Sequence, residues 1–111
     1  LLRHFSMSAW LNHRCVGIAG IITLSKHRAI CWAVLGHTAG PGMVDITRKV
    51  RQAVALCQAR RVEMTVECDF KAGHQWAKLL GFKCEAPCLE GYGMFGQDEA
   101  MYAKVKPVCQ A

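Results

Sequence analysis

A chain of 111 residues suits one domain around one core, and a hydrophobic share of 52% excludes a disordered segment. A net charge of +6 favours an acidic partner, whether nucleic acid, a phosphate-bearing cofactor or another protein, and does not choose among them. The longest apolar run, 15–24, is too short to span a bilayer, and the N-terminus lacks a signal-peptide layout.

Residues 1–14 have no clean period and read as a short helix or strand leading into an exposed turn. The run 15–24 is rich in β-branched residues and reads as a strand, with Gly17 and Gly20 marking a bulge or a close approach. After the polar turn 25–28, residues 29–35 are apolar throughout. That pattern predicts a central strand buried on both faces. The glycine-rich segment 36–42 follows at once. Pro41 suits the first helical position, and a helix is expected over about 43–60 with Ile46, Val50, Ala53, Val54 and Cys57 on its apolar face. The charges Arg48, Lys49 and Arg51 then read as a solvated face.

Residues 61–68 alternate, with Val62, Met64, Val66 and Cys68 on one side and Glu63, Thr65 and Glu67 on the other. Asp69 is placed to cap a helix over 70–80 whose apolar face would be Ala72, Trp76, Leu79 and Leu80. Gly81 should stop that helix in the left-handed conformation. Phe82, Cys84 and Ala86 then alternate as a strand. A glycine-rich connection over 87–98 leads to a last strand over 99–105. The order β–β–α–β–α–β–β gives an α/β (α+β) domain with a mixed sheet.

Seven cysteines, an odd number set mostly in apolar runs, point to reduced, buried thiols in a cytosol-like compartment. There is no Cys-x-x-Cys. Cys84-x-x-x-Cys88 is the nearest metal spacing and has no second pair of ligands, so no metal is expected.

A buried strand running into a glycine loop and a helix N-terminus presents backbone N–H groups and a dipole that favour an anion. The loop is neither a P-loop nor a dinucleotide fingerprint. His37-x-x-Gly40-x-Gly42 resembles the Gln/Arg-x-x-Gly-x-Gly/Ala loop of the GNAT superfamily of N-acyltransferases. The strand 61–68, the helix 70–80 and Gly81-Phe82 follow in that family's order, so the resemblance spans 15–105. Within the superfamily the phrases around Arg60-Arg-Val-Glu-Met-Thr-Val66, Gly73-His-Gln-Trp-Ala-Lys-Leu-Leu-Gly-Phe82 and Tyr92-Gly-x-x-Gly-Gln-Asp98 are similar to GNAT-like proteins of tailed phages.

The resemblance implies a GNAT-like mixed sheet with helices packed on it, and strands 29–35 and 61–68 parallel and splayed at their C-terminal ends. It implies acetyl-coenzyme A as cofactor and an amine as acceptor. The pyrophosphate would lie at the loop, with His37 as its first residue and the N–H groups of Ala39, Gly40, Gly42 and Met43 as donors. The pantetheine would run beside Val34 and Leu35. Glu67 stands where members often carry a carboxylate that draws off the amine proton. Asp69, His37, His74 and Tyr92 are the other acid–base candidates, with His74 otherwise a surface histidine and Tyr102 packed on the sheet. The chain departs from the family pattern: the N-terminal strand and helices are missing or reduced to residues 1–14, Ala77 stands at the general-acid tyrosine, only Gly36 separates Leu35 from His37 at the loop, and Pro41 removes an N–H donor. They support a second reading, a weak or inactive GNAT-fold virion component with protein partners. The corresponding locations are the host cytoplasm or the virion. A nucleic-acid binder ranks last, since no strand platform combines aromatic and basic residues.

Overall fold

The structure, a computed structural model, describes residues 4–107, with the backbone alone at His37 and Thr38. Its elements are β1 (His4–Leu11), β2 (Arg14–Thr23), β3 (Arg28–Leu35), α1 (Met43–Leu56), β4 (Arg61–Glu67), α2 (Lys71–Leu79), β5 (Lys83–Leu89) and β6 (Glu99–Val105). The six strands form one sheet in the order β1-β2-β3-β4-β6-β5, and only β3 and β4 are parallel. The first fourteen residues form a strand and a tight hairpin turn. Asn12 and His13 both take positive φ, 51° and 65°, which a two-residue turn matched to the twist of its strands requires.

Both glycines of β2 are close approaches. A Cβ on Gly17 would stand 2.7 Å from Leu35 Cδ2, and one on Gly20 would stand 2.6 Å from the Phe5 carbonyl. The register also slips beside Gly17, where Ala9 faces Gly17 but Trp10 faces Cys15. The expected bulge and the expected close approach therefore occur together.

Both helices pack on one face of the sheet. Ile46, Val50 and Val54 of α1 and Ala77 of α2 join Ala19, Ile21, Ala29, Cys31, Val62, Met64 and Val66 in a single core. The Trp76 indole N–H donates to Thr47 Oγ1 at 2.8 Å and ties α2 to α1. On the other face Ile18, Ile22 and Val34 are exposed, Val34 at 63%, and no helix among the described residues covers them. The apolar run 29–35 is thus central in the sheet but not buried on both faces.

Three local expectations are corrected. Residues 37–42 form a 3-10 turn that contains Pro41, and α1 begins after it with Gly42 as N-cap and ends at Leu56. Asp69 does not cap α2, whose N-cap is Phe70 with no side-chain hydrogen bond. The buried face of α2 is Gly73, Ala77 and Leu80, while Ala72 is exposed and Leu79 is 63% exposed. Gly73 explains the rotation. A Cβ there would lie 2.7 Å from Val66 Cγ1, so only glycine lets the helix sit this close to β4.

The C-terminus of α2 forms as the sequence predicts. Phe82 N–H donates to the Ala77 carbonyl and Gly81 N–H to that of Lys78, both at 3.0 Å, with Gly81 at φ 93°. That pair of bonds is a Schellman motif. β5 runs on past Ala86 to Leu89, and its pairing to β6 slips on both sides of Ala86. Pro87 has no N–H to give, which an edge strand at an irregular register tolerates.

The thiols are less buried than their apolar context suggests. Only Cys31 is buried among those described, and burial pushes it up to about 11. Cys57 and Cys68 are half-buried, Cys15, Cys84 and Cys88 are exposed, and Cys109 lies outside the described residues.

Glu63, expected on the polar side of β4, is only 6% exposed. Its carboxylate accepts from Arg28 Nε at 2.9 Å, Arg28 Nη2 at 2.7 Å and Arg61 Nε at 2.6 Å, and Arg61 also holds Glu85. Burial alone would raise the Glu63 carboxyl, but the hydrogen bonds and charges of Arg28 and Arg61 outweigh it and hold it below its ordinary 4.5. A depressed carboxyl stabilises the fold above its unfolded value, and that contribution is lost as pH falls through the folded one. Glu63→Gln is therefore expected to cost about 1–2 kcal/mol at pH 7, since both arginines can still reach water. The gap to the unmutated protein should narrow as pH falls below 4.5 and close once the folded carboxyl is protonated. Urea titrations at a series of pH values from 7 downward measure it, and a gap that does not narrow on acidification refutes the charge-based account.

Candidate functional site

The sheet topology gathers the candidate residues at one end. β3 and β4 pair only at Arg28–Arg61, Ala29–Val62 and Ile30–Glu63. Beyond that point β3 follows β2, with Leu35 opposite Gly17 and Gly36 N–H donating to the Val16 carbonyl at 2.8 Å. β4 follows β6 instead, with Glu67 opposite Glu99. The C-terminal halves of two adjacent parallel strands therefore part, as the resemblance implies, and leave main-chain donors and acceptors unpaired along both inner edges. Val34 and Leu35 lie on one side of the opening and Glu67 on the other.

The loop 36–42 closes the end of the opening beside β3. Ala39 is buried, whereas Gly40 is exposed, and a Cβ built on Gly40 would meet nothing within 4 Å. Donors expected to face an anion are engaged within the turn itself: Ala39 N–H bonds the Gly36 carbonyl at 3.0 Å, Met43 N–H bonds that of Gly40, and the 3-10 conformation over 37–42 turns its N–H groups to carbonyls three residues back. A phosphate here would draw on shared, three-centre bonds from these groups or on a small opening of the turn.

α1 and α2 flank an open groove of about 580 Å³ that begins at Met43, the residue after the loop. Met43, Val44, Thr47 and Trp76 give it apolar walls, and Arg48 and Arg51 stand along it. Neither arginine has a carboxylate partner among the described residues. The sequence left both on a solvated face. The signal that could have separated them was their shared side of α1 with Met43, Val44 and Thr47, next to the glycine loop.

The position of α2 also revises the tyrosine argument. Ala77 is 0% exposed and faces the sheet, so a tyrosine there would enter the core. Trp76, half-buried, is the aromatic residue that faces the groove.

His74 is not a free surface histidine. Its Nε2 lies 3.0 Å from the Cys68 carbonyl and its Nδ1 lies 2.7 Å from the Tyr102 hydroxyl. A carbonyl can only accept, so Nε2 carries the proton and Nδ1 accepts from Tyr102. Tyr102 is buried, which raises its hydroxyl above its usual 10.0. The pair links β6, α2 and the end of β4 and makes no opening to solvent at Tyr102. Tyr102→Phe is expected to cost about 1–2 kcal/mol by leaving Nδ1 without a donor. Thermal melts of the two proteins test this, and equal stability refutes it.

Of the other acid–base candidates, Glu67 and Asp69 are exposed at the end of β4, Tyr92 is exposed in the connection between β5 and β6, and the His37 side chain lies outside the described set. Among the described residues no three of His, Cys, Asp and Glu are grouped to hold a metal ion. No helix among them is long and apolar enough to cross a membrane.

No family model and no curated sequence matches this chain. Solved structures do match in shape. An acetyltransferase of the GNAT family from Streptococcus pneumoniae superposes with a TM-score of 0.74 at 22% identity, over 94% of this chain and 67% of that one. The microcin C7 self-immunity acetyltransferase MccE, solved with acetyl-CoA and AMP, gives 0.72 at 18%, over 92% and 61%. The ribosomal-protein-S5-alanine acetyltransferase from Vibrio fischeri gives 0.70 at 14%, over 85% and 56%. The fold is that of the GNAT acetyltransferases, and the aligned part amounts to between 56% and 67% of these neighbours' length.

Proposed function

We propose that this chain carries the acyl-coenzyme A-binding part of a GNAT-type N-acyltransferase. The observation that carries the reading is the parting of β3 and β4 after three residue pairs, directly beside an exposed glycine loop and a helix N-terminus. When bound, acetyl-coenzyme A would supply a thioester whose acyl carbon an amine can attack.

The chain's own residues would act mainly by positioning and by hydrogen bonding. Gly40 and Gly42 let phosphate oxygens approach the backbone at the start of α1, where the helix dipole favours negative charge. The free edge at Val34 and Leu35 can pair with the amides of a pantetheine arm as a further strand would. Arg48 and Arg51 lie along the α1–α2 groove, suited to a phosphate at the nucleotide end, and Trp76 offers a flat apolar wall. Glu67, exposed at the end of β4, is the carboxylate available to take a proton from an incoming ammonium group.

Calorimetric titration with acetyl-coenzyme A tests the reading without knowledge of the acceptor. Stoichiometric binding supports it, and no heat at millimolar cofactor overturns it. A second reading, a GNAT-fold virion component with weak or absent turnover, is favoured by Trp76 standing on α2 where an ionisable group would be needed. Absence of binding at millimolar coenzyme A, which overturns the first reading, would put this one in its place.

A further inference from the structure

We propose that a second site, at the opposite end of the sheet from the cofactor loop, binds a small amphipathic carboxylate. The cavity lies between the first hairpin and the C-terminal end of α1 and has a volume of about 360 Å³. That size falls within the range of small-molecule sites. Ile21, Ala53, Phe5 and Leu56 give it an apolar lining, and Leu56 at its rim is 74% exposed, although it ends an otherwise well-packed helix. The polar groups on its border include Lys26, His4 and Thr23, and no carboxylate lines it.

The charges on the elements that line the cavity favour an anion at that border. Residues 1–62 contain a single acid, Asp45, which sits in the first turn of α1 and pairs with Lys49 at 3.1 Å. Lys26 has no carboxylate partner among the described residues. The C-terminal end of α1, which borders the cavity, would repel an anion. Most of its carbonyls are engaged: Cys57 N–H takes those of Ala53 and Val54, and Lys106 Nζ reaches those of Ala55 and Cys57. A ligand with an apolar body against Ile21 and Ala53 and one carboxylate toward Lys26 matches both halves of this lining. The α1 helix spans about 20 Å at 1.5 Å per residue, so this site is separate from the glycine loop, and the two readings stand or fall independently.

Sodium octanoate and octylamine are the probes, titrated by calorimetry and by backbone NMR shifts of the unliganded protein. Octanoate should bind with one-to-one stoichiometry and shift the amides of residues 53–59 and 21–26, and octylamine should bind about tenfold more weakly. Lys26→Glu should reverse the preference, and Ala53→Phe should remove binding by filling the cavity. If Ala53→Phe fails to fold, Lys26→Glu still decides, because Lys26 is exposed in a turn and makes no side-chain hydrogen bond or ion pair among the described residues. Acetyl-coenzyme A titration of Lys26→Glu should match the unmutated protein, which separates loss of this site from loss of the other. Equal binding of the two probes, absence of octanoate binding, or an unchanged preference in Lys26→Glu overturns the proposal.

Discussion

Gly40→Asp is expected to weaken coenzyme A binding tenfold or more while leaving the fold intact. The carboxylate would occupy the space in front of the turn where phosphate oxygens approach, and repel them. Losing one charge-assisted contact costs about 1.5–3 kcal/mol, which by itself is a tenfold effect. The fold has no reason to suffer. Gly40 is exposed, its φ lies outside the left-handed region, and a Cβ there has no neighbour within 4 Å. Its melting temperature should therefore stay within the range of a neutral surface change, about 0.5 kcal/mol either way. Calorimetry with acetyl-coenzyme A, paired with a thermal melt, measures both. A folded mutant that binds as tightly as the parent would mean that the loop is only a connector.

Two tyrosine substitutions, one residue apart, should behave in opposite ways. The GNAT resemblance would put a general-acid tyrosine at 77, and Ala77→Tyr would supply it. In the structure Ala77 is fully enclosed between α2 and the sheet, so the ring would be forced into a filled core at a cost of about 1–3 kcal/mol or more. Trp76→Tyr replaces one large aromatic residue by another at the groove. It loses the indole bond to Thr47 but should stay folded, with a hydroxyl facing the groove. If turnover is limited by the lack of an acid for the departing thiolate, Trp76→Tyr should raise it by about a hundredfold, the lower end of what a placed general acid contributes. Thermal melts and an acetyl-coenzyme A consumption assay on both variants test this. A stable Ala77→Tyr that gains activity would show that position 77 of α2, and not position 76, faces the groove.

The candidate site was partly legible in advance. The glycine loop, the parallel pair and its splay followed from the order of elements and the GNAT resemblance, because a strand, a glycine turn and a helix N-terminus are local features. Arg48, Arg51 and Trp76 were not legible as a group. They come from two helices far apart in sequence, and only the packing of α2 beside α1 makes them walls of one groove.

The sequence by itself determined the features that a few neighbouring residues control. Gly81 in the left-handed region ends α2, alternation over 61–67 builds β4, and the helical period of Ile46, Val50 and Val54 aims α1 at the core. Tertiary structure decided whatever depends on which surfaces meet. The rotation of α2 was set by the close approach of Gly73 to Val66, which overrode the apolar stripe of Ala72, Trp76 and Leu79. The burial of Glu63 was set by two arginines, one of them 35 residues away in the chain. The exposure of Val34 was set by the absence of any described helix on that face of the sheet. Local propensity is worth tenths of a kcal/mol per residue, and burial of one side chain is worth several times more. Where the two conflict, packing prevails, and packing partners cannot be read from a single stretch of sequence.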